Sequence, residues 1–296
     1  MPARPAPPTD PAAPASCPPP GVRWSGLTHR GRVRPENEDA FLGLAFNGHE
    51  VLHLGKTGEA DFTAHDFVFA VSDGMGGANA GAFASRITVD RVTQLLPRVF
   101  RLKAAGFAAG SADLLADVVD AIHRDLLQLG SAYEECAGMG ATLSLAWFTP
   151  GRMYFAHVGD SRIYQLPGAG GLVQLTHDHG HVGWLRRQGR INEREARAHP
   201  MRHALHQALG GGQQLLEPQI GGADHQPGDR CLICSDGLID GLWDRQIEEL
   251  IREPDEAGAR LPPAGRLVEA ALQSSGRDNI TALVVETLAN GPPPAQ

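Results

Sequence analysis

Short apolar runs that end at turn residues recur along the chain and predict β-strands. The clearest is residues 67–71, a buried strand that stops at Ser72-Asp73-Gly74. Similar runs predict strands at 24–28, 40–45, 141–148, 153–158, 163–166, 229–235 and 281–286. The polar, glycine-containing stretch 46–64 predicts a hairpin connection between two of them.

Apolar residues spaced three and four apart predict helices between the groups of strands. Residues 80–96 form one such stretch and residues 111–129 a second, for which Ser111 is the predicted N-cap. Two shorter helices are predicted at 246–251 and 265–272. Residues 176–210 are polar, rich in His and Arg, and more helical than extended, with a capping box predicted at Asn192 and Glu195.

The order of these elements predicts the fold class. Strands follow one another in runs joined by turns, and helices come in pairs, which favours an α+β, mostly antiparallel protein over alternating β-α-β units. One domain is predicted over residues 21–289. Residues 1–20 hold nine prolines and five alanines, which predicts a disordered tail, and residues 290–296 form a short Pro-rich tail.

Composition narrows the class of protein. The 296 residues are 42% hydrophobic and 20% charged, as in ordinary globular proteins. A net charge of -8 without a basic run argues against nucleic-acid binding. No apolar stretch reaches the about 18 residues of a membrane span, and the N-terminus lacks the plan of a signal peptide. The sequence therefore predicts a cytoplasmic monomer with no nucleic-acid or membrane partner.

A C-x-x-C pair, Cys231 and Cys234, lies inside the strand predicted at 229–235. Alternation along a strand sends the two side chains to opposite faces. No second pair exists in the sequence to complete a zinc site. The spacing therefore favours two core thiols over a metal-binding or redox pair.

Acidic residues recur where predicted strands begin or end. Asp-Gly often marks a turn after a strand, and that is the plainer interpretation of any single motif. Several such motifs together, with Asn37-Glu38-Asp39 before another strand, instead predict a cluster at one rim of a pair of sheets. Its candidates are Glu38, Asp39, Asp73, Asp160, Asp236 and Asp278.

Clustered carboxylates suggest divalent cations. Like charges raise one another's pKa, and oxygen-only ligands suit magnesium, manganese or calcium rather than zinc. Two cations about 3.5–4 Å apart can share a bridging water, lower its pKa and clamp an in-line displacement at phosphorus. Arg34, three residues before Asn37, is the candidate for holding two phosphate oxygens.

These motifs together closely resemble the metal-dependent protein phosphatases of the PPM, or type 2C, family in their bacterial form. In order, they are Gly31-Arg-Val-Arg34-Pro-Glu-Asn-Glu-Asp-Ala40, Val71-Ser-Asp-Gly-Met-Gly-Gly77, Gly138-Met-Gly-Ala-Thr142, Val158-Gly-Asp-Ser-Arg162, Cys234-Ser-Asp-Gly-Leu238 and Asp278-Asn-Ile-Thr281. They cover almost all of residues 21–289. Each motif alone is weak, but the ordered set is specific.

The resemblance implies a four-layer α-β-β-α sandwich of two antiparallel sheets flanked by helices. It implies hydrolysis of phosphoserine and phosphothreonine in proteins by a metal-bridged hydroxide. The partners would be phosphorylated proteins, either a bacterial Ser/Thr kinase or its targets. The cofactors would be two or three Mn or Mg ions.

The resemblance also implies residue roles. Asp73 would bridge two metal ions, with the Gly74 carbonyl on one of them, and Asp236 and Asp278 would complete the other site. Asp160 would serve a third, weaker metal. The remaining roles fall to Glu38 and Asp39, which would reach the metals directly or through water, to Arg34, which would hold the phosphate, and to Asn279, which would orient its neighbours.

One position departs from the animal relatives, which carry His directly after the central Asp-Gly and can protonate the leaving alkoxide with it. Met75 stands there in this chain, so the general acid is unassigned. Residues 176–210 correspond to the family's flap, which shapes substrate access. Its cluster from His177 to His181 could be a zinc site, but structural or substrate-side roles are favoured.

Two other functions stay open at this stage. A non-catalytic phosphoprotein-binding module on the same fold would need a broken set of metal ligands, and none of the motifs is broken. A phosphatase of small phosphorylated metabolites would use the same site. The sequence does not identify the physiological substrate.

Overall fold

The computed structural model describes residues 20–76, 80–104, 110–212, 215–252 and 260–289, without the side chains of 98–104. The predicted tails lie almost entirely outside these ranges, at 1–19 and 290–296. Gly77, the last residue of the central motif, also lies outside them. In the part of the chain that the structure describes, no helix is both long and apolar enough to cross a lipid bilayer.

The described elements run from Gly21 to Leu288. The strands are β1 (Gly21–His29), β2 (Asp39–Phe46), β3 (Val51–His53), β4 (Thr57–Asp61), β5 (Asp66–Met75), β6 (Gly140–Ala141), β7 (Leu143–Thr149), β8 (Arg152–Val158), β9 (Arg162–Leu166), β10 (Val173–Gln174), β11 (Leu209–Gly210), β12 (Gln219–Asp224), β13 (Arg230–Cys234) and β14 (Ile280–Leu288). The helices are α1 (Ala80–Ala104), α2 (Ser111–Ala132), α3 (His181–Arg187), α4 (Glu193–Ala198), α5 (Asp236–Gly241), α6 (Asp244–Arg252) and α7 (Pro263–Ser274).

The strands form two antiparallel sheets. The first has the order β10-β9-β13-β14-β1-β4. The second has the order β11-β6-β5-β7-β8-β12, with β2 also paired to β5 and β3 paired to β2. Neighbours along the chain often pair directly, as β7 and β8 do across the turn at Gly151.

Three apolar clusters separate four layers. One lies between the sheets and includes Trp24, Phe69 and Ile233. A second lies between the second sheet and helices α1 and α2, and a third between the first sheet and helices α5, α6 and α7. The protein is thus an α-β-β-α sandwich, and the predicted fold class is confirmed.

The two cysteines of the C-x-x-C pair face opposite layers, as predicted. Cys231 packs in the cluster between the sheets, and Cys234 packs against the helices outside the first sheet. Both thiols are buried, and burial raises the pKa of Cys231 to about 12. These are core side chains.

The prediction of a simple hairpin connection at 46–64 is wrong. This stretch holds β3, which extends the second sheet, and β4, which crosses to the first sheet and pairs with β1. A Cβ on Gly58 in β4 would lie 2.3 Å from the Trp24 ring. Only a glycine allows β4 to lie this close to Trp24, and this tertiary contact could not be inferred from local pattern.

Two helix ends also differ from prediction. Gly110, rather than Ser111, is the N-cap of α2, and its N–H donates to the Asp113 carboxylate at 3.0 Å. Helix α1 continues through Pro97 to Ala104, beyond the predicted end at residue 96. The capping box predicted for α4 is confirmed, with both hydrogen bonds between Asn192 and Glu195 present.

Candidate active site

One open cleft, at the rim where the two sheets meet, brings the predicted acids together. Its lining comprises Arg34, Glu38, Asp73, Gly74, Met75, Gly76, Thr142, Asp160, His203, Leu205, Asp236 and Asp278. Two further predicted residues, Asp39 and Asn279, lie directly behind this lining. All nine residues named from the sequence are therefore in one neighbourhood, since Asp39 pairs with Asp73 and Asn279 contacts Glu38.

Asp73 lies within β5, not after it. The strand continues to Met75 because β6 pairs with its last residues, so the prediction that it stops at Ser72-Asp73-Gly74 is wrong. The Asp73 N–H donates to the Thr142 hydroxyl at 3.0 Å, and the Thr142 N–H donates to the Asp73 carbonyl at 2.8 Å. Thr142 therefore fixes the backbone that presents the Asp73 carboxylate to the cleft.

Asp39 is a buried carboxylate with only one of its oxygens satisfied. Its Oδ2 accepts hydrogen bonds from Ser235 Oγ at 2.7 Å and Thr281 Oγ1 at 2.6 Å. Its buried Oδ1 has no hydrogen-bond partner among the described residues. Burial raises the pKa of Asp39 to about 7, against the two hydroxyls that lower it. Such an oxygen is well suited to a cation or a bound water.

At the centre of the cluster, repulsion between carboxylates raises their pKa values in addition to the effect of burial. Burial, followed by the charges of Asp39, Asp236, Asp160 and Asp278, raises the pKa of Asp73 well above its usual value. Burial and then Asp236 likewise raise the pKa of Asp160. Without positive charge in the cleft, these carboxylates cannot all ionise at neutral pH without a cost in stability.

Arg34 supplies one positive charge. Its Nη2 lies 2.8 Å from Asp278 Oδ2, and this hydrogen bond is the main reason that the pKa of Arg34 is raised. The other Asp278 oxygen accepts the backbone N–H of Asn279 at 2.8 Å. The side chain of Arg34 is about half exposed, so its guanidinium faces both Asp278 and the open cleft.

Asn279 ties the Arg34 loop to the start of β14. Its Oδ1 accepts the Glu38 N–H at 2.7 Å, and its Nδ2 donates to the carbonyls of Arg30 and Glu36, both at 2.9 Å. One buried amide thus holds the loop on both sides of Arg34. The sequence predicted that Asn279 orients its neighbours, and the groups that it contacts are the backbones of Arg30, Glu36 and Glu38.

Asp236, the first residue of α5, has a neighbour that the sequence did not identify. His203, in the flap, places its Nδ1 at 3.3 Å from Asp236 Oδ2 and its Nε2 at 3.8 Å from Asp240. The hydrogen bond with Asp236 raises the pKa of His203. Nothing local marks His203 among the flap histidines, because its role depends on how the flap folds back onto α5.

A buried ion pair anchors the flap. Both carboxylate oxygens of Asp178 accept from Arg162, at 2.8 and 2.6 Å, and Arg162 also donates to the Tyr164 hydroxyl at 2.8 Å. The charge of Arg162 overcomes burial and lowers the pKa of Asp178. Asp178 therefore has a structural role, in agreement with the interpretation favoured for the His177–His181 cluster.

The donors in the cleft fit a hard divalent cation, although they do not form a closed cage. Every candidate ligand presents oxygen, and the buried Oδ1 atoms of Asp39 and Asp236 lack hydrogen-bond partners among the described residues. Among those same residues, no three His, Cys, Asp or Glu side chains converge closely enough to hold a metal ion. Arg34 and His203 engage Asp278 and Asp236 instead.

Comparisons with known proteins agree with this arrangement. The family described as Protein phosphatase 2C matches residues 58–261. The serine/threonine protein phosphatase PstP of Mycobacterium tuberculosis is 32% identical over 270 residues, which are 90% of this chain and 45% of PstP. This chain therefore spans about half the length of that relative. The serine/threonine phosphatase stp of Listeria monocytogenes is 31% identical over 88% of this chain and 93% of its own length.

Solved structures show the same fold. The catalytic domain of PstP in complex with two manganese ions superimposes with a TM-score of 0.68 at 30% identity, covering 91% of this chain and 100% of that one. The serine/threonine phosphatase of S. agalactiae gives a TM-score of 0.70 at 26% identity, covering 90% of this chain and 99% of that one. From its family match, its relatives and its fold, the chain belongs to the protein phosphatase 2C family.

Proposed function

We propose that this chain is a metal-dependent phosphatase that hydrolyses phosphoserine and phosphothreonine in proteins, opposing a bacterial Ser/Thr kinase. The observation that carries the proposal is the gathering of five cleft-lining carboxylates and Arg34 in one open cleft, backed by buried Asp39. Membership of the family supports it, as does the similarity to PstP and stp, which are both named as serine/threonine phosphatases.

Two or three Mn or Mg ions are proposed to be held by the cleft acids. Asp73, Asp236 and Asp278 would hold them, together with the Gly74 carbonyl. Further contacts are assigned to Asp160, Glu38 and Asp39. When bound, the ions supply an activated water for attack on phosphorus and neutralise the phosphate charge.

Arg34 is proposed to bind the phosphate. Its planar guanidinium can donate two parallel hydrogen bonds to phosphate oxygens, which fixes the orientation of phosphorus for in-line attack. Asn279 acts through Arg34, because its three hydrogen bonds hold the loop on either side of that residue. The ion pair with Asp278 keeps the guanidinium at the cleft.

The departing alkoxide needs a proton that Met75 cannot give. Met75 lies in the cleft lining next to Gly74, and its thioether is only a weak hydrogen-bond acceptor. Thus the position that carries a proton donor in animal relatives contributes only apolar contact here. Proton delivery must come from solvent or from water ordered in the cleft.

The test is phosphate release by the purified chain with manganese, measured on an aryl phosphate and on a phosphothreonine peptide. Both rates should be saturable and should fall to background with chelator. Absence of metal-dependent turnover on both substrates would contradict the proposal. Calorimetric binding of the phosphopeptide without turnover would instead support the non-catalytic binding module.

Substrate class is tested separately. Rates on phosphorylated metabolites and on phosphoproteins should be compared at equal substrate concentration under the same metal conditions. Higher kcat/KM on phosphoproteins supports the proposed class. Higher kcat/KM on a metabolite would reassign the same chemistry to small-molecule metabolism.

A further inference from the structure

The flap has a charge opposite to that of the whole protein. Residues 176–210 carry six arginines and six histidines against three carboxylates, whereas the chain as a whole has a formal net charge of -8. A local basic surface on an acidic protein attracts anionic partners to that place. Such an attraction requires flap arginines that are not already paired with carboxylates of the same protein.

Each of the three flap carboxylates already accepts hydrogen bonds from another residue. The Asp178 carboxylate accepts two hydrogen bonds from the guanidinium of Arg162, a residue outside the flap. Glu193 accepts from Arg197, and Glu195 accepts the Asn192 N–H in the capping box of α4. Within the described part of the chain, none of these three carboxylates forms an ion pair with Arg187.

The lining of a groove on the flap, beside the cleft, includes Asp178, His179, His181, Trp184, Arg187 and His206. Arg187 is exposed, and its Nη1 donates to the carbonyl of Asp178 at 3.1 Å. Within the described ranges, no carboxylate lies at ion-pair distance from Arg187. The groove therefore presents an unpaired guanidinium.

Trp184 gives the groove a fixed aromatic wall. It is 39% exposed. The His181 ring stacks on it with centroids 6.1 Å apart, and the Arg190 guanidinium lies 4.8 Å from the Trp184 centroid. An exposed Trp beside arginine side chains is typical of surfaces that bind peptides.

The groove adjoins the cleft on the side of the flap. The His179 N–H donates to the carbonyl of Gly159 at 2.7 Å, and Gly159 precedes Asp160 of the cleft. In the segment of the flap that lies beside Gly180, His206 lines the groove and its neighbour Leu205 lines the cleft. The His206 N–H donates to the His179 carbonyl at 2.8 Å, which joins the two segments. A chain leaving the cleft can thus continue into the groove.

We infer that this groove binds an acidic segment flanking the phosphorylated residue of a protein substrate, with Arg187 pairing a substrate carboxylate and Trp184 packing against the peptide. The inference rests on the proposed phosphatase function, because it deepens the specificity of the same cleft. It assigns Arg187 as a residue that determines substrate preference and takes no part in the reaction.

The test uses labelled phosphothreonine peptides with either glutamate or glutamine at the flanking positions, on either side. Binding is measured by fluorescence anisotropy, which needs no turnover, and kcat/KM is measured with manganese. The chain is compared with Arg187→Gln and with the matched control Arg194→Gln, an exposed flap arginine that does not line the groove. An aryl phosphate, which cannot reach the groove, reports on the catalytic cleft.

We expect the parent chain and Arg194→Gln to bind glutamate-flanked peptides about 3- to 10-fold more tightly than glutamine-flanked ones, the factor for one charge-assisted contact near a surface. Arg187→Gln should lose that preference and keep full aryl phosphate turnover. Equal binding of both peptides by the parent chain, or an undiminished preference in Arg187→Gln, would overturn the inference. Failure of aryl phosphate turnover in the parent would contradict the proposed function instead, since the anisotropy result stands independently.

Discussion

Asp39 and Asp73 are register partners on adjacent antiparallel strands, β2 and β5, so two carboxylates are built side by side into the second sheet. Opposed like charges on paired strands are destabilising. The sequence nevertheless places them there, and the hydroxyls of Ser235 and Thr281 satisfy only one oxygen of Asp39. A stability cost at this place is what a cation-binding function predicts.

Removing one of these charges should stabilise the metal-free protein. Because the pKa of Asp73 is raised above its usual 3.8, the folded state binds a proton at this carboxylate more tightly than the unfolded state does. The free energy of unfolding therefore falls as pH rises from about 4 through the raised pKa. In chelator, Asp73→Asn should therefore melt a few degrees above the parent at pH 8, as about 1 kcal/mol gives in a domain of this size. The gain should fade toward pH 4.

Thermal melts across this pH range, with Asp117→Asn as control, provide the measurement. Asp117 is exposed on α2, away from the cleft, and its neutralisation should leave the melting temperature unchanged at every pH. If Asp73→Asn melts at the same temperature as the parent at pH 8, the carboxylate cluster is not repulsive and this account of it is wrong.

Asn279→Ala should weaken substrate binding through Arg34. It deletes three side-chain hydrogen bonds that hold the loop, while leaving the carboxylates in place. We expect kcat/KM on an aryl phosphate to fall about 10-fold, mainly through KM, with a loss of about 1–3 kcal/mol in unfolding free energy. Asn47→Ala is the control: it also deletes three side-chain hydrogen bonds, in the loop between β2 and β3, and should leave kcat/KM unchanged. A fall confined to kcat would argue against the loop-positioning role.

Arg34→Ala and Arg34→Lys separate charge from geometry. Lysine keeps the positive charge but cannot form the two parallel hydrogen bonds, so Arg34→Lys should lie between the parent and Arg34→Ala, whose KM should rise about 10- to 100-fold. The manganese affinity of Arg34→Ala should stay the same or increase, because Asp278 loses its competing partner. Steady-state kinetics and calorimetry test this, with exposed Arg32→Ala as control. An unchanged KM in Arg34→Ala would exclude phosphate binding by this residue.

The buried Arg162–Asp178 ion pair should contribute far more to the free energy of unfolding than an exposed ion pair of similar length. Asp178→Asn leaves the buried Arg162 guanidinium without its charge partner and should cost about 3–5 kcal/mol of unfolding free energy. Asp224→Asn breaks the Arg152–Asp224 pair, also at 2.6 Å, in which both side chains are well exposed, and should cost less than about 1 kcal/mol. Denaturant melts compare the two. Equal losses would mean that Asp178 does not anchor the flap.

Sequence pattern predicted the α+β class and the neighbourhood of the site, because both follow from local rules, whereas the four-layer sandwich was predicted from the family resemblance. Alternating apolar runs such as 67–71 mark strands, and acids at the ends of antiparallel strands are brought to a common rim. The order of motifs then identified the family. The same rules placed Cys231 and Cys234 on opposite faces.

The errors came from contacts between distant segments. β5 extends past Asp73 only because β6, far along the chain, pairs with it. β4 leaves its neighbour β3 because Gly58 fits against Trp24. Helix α5 was not predicted, since its six residues are too few for a periodic pattern and include two glycines. His203 meets Asp236 only through the folding of the flap.

The central claim is that the carboxylates of this cleft bind divalent cations that drive phosphate hydrolysis. Its most direct test is the initial rate of phosphate release from a phosphothreonine peptide as manganese is raised, for the parent chain and for Asp73→Asn. The account predicts a saturable rise from background in the parent and a rate at least about 100-fold lower in Asp73→Asn, because the proposed bridging charge is lost. A parent rate that persists in chelator, or a near-parental rate in Asp73→Asn, would contradict it.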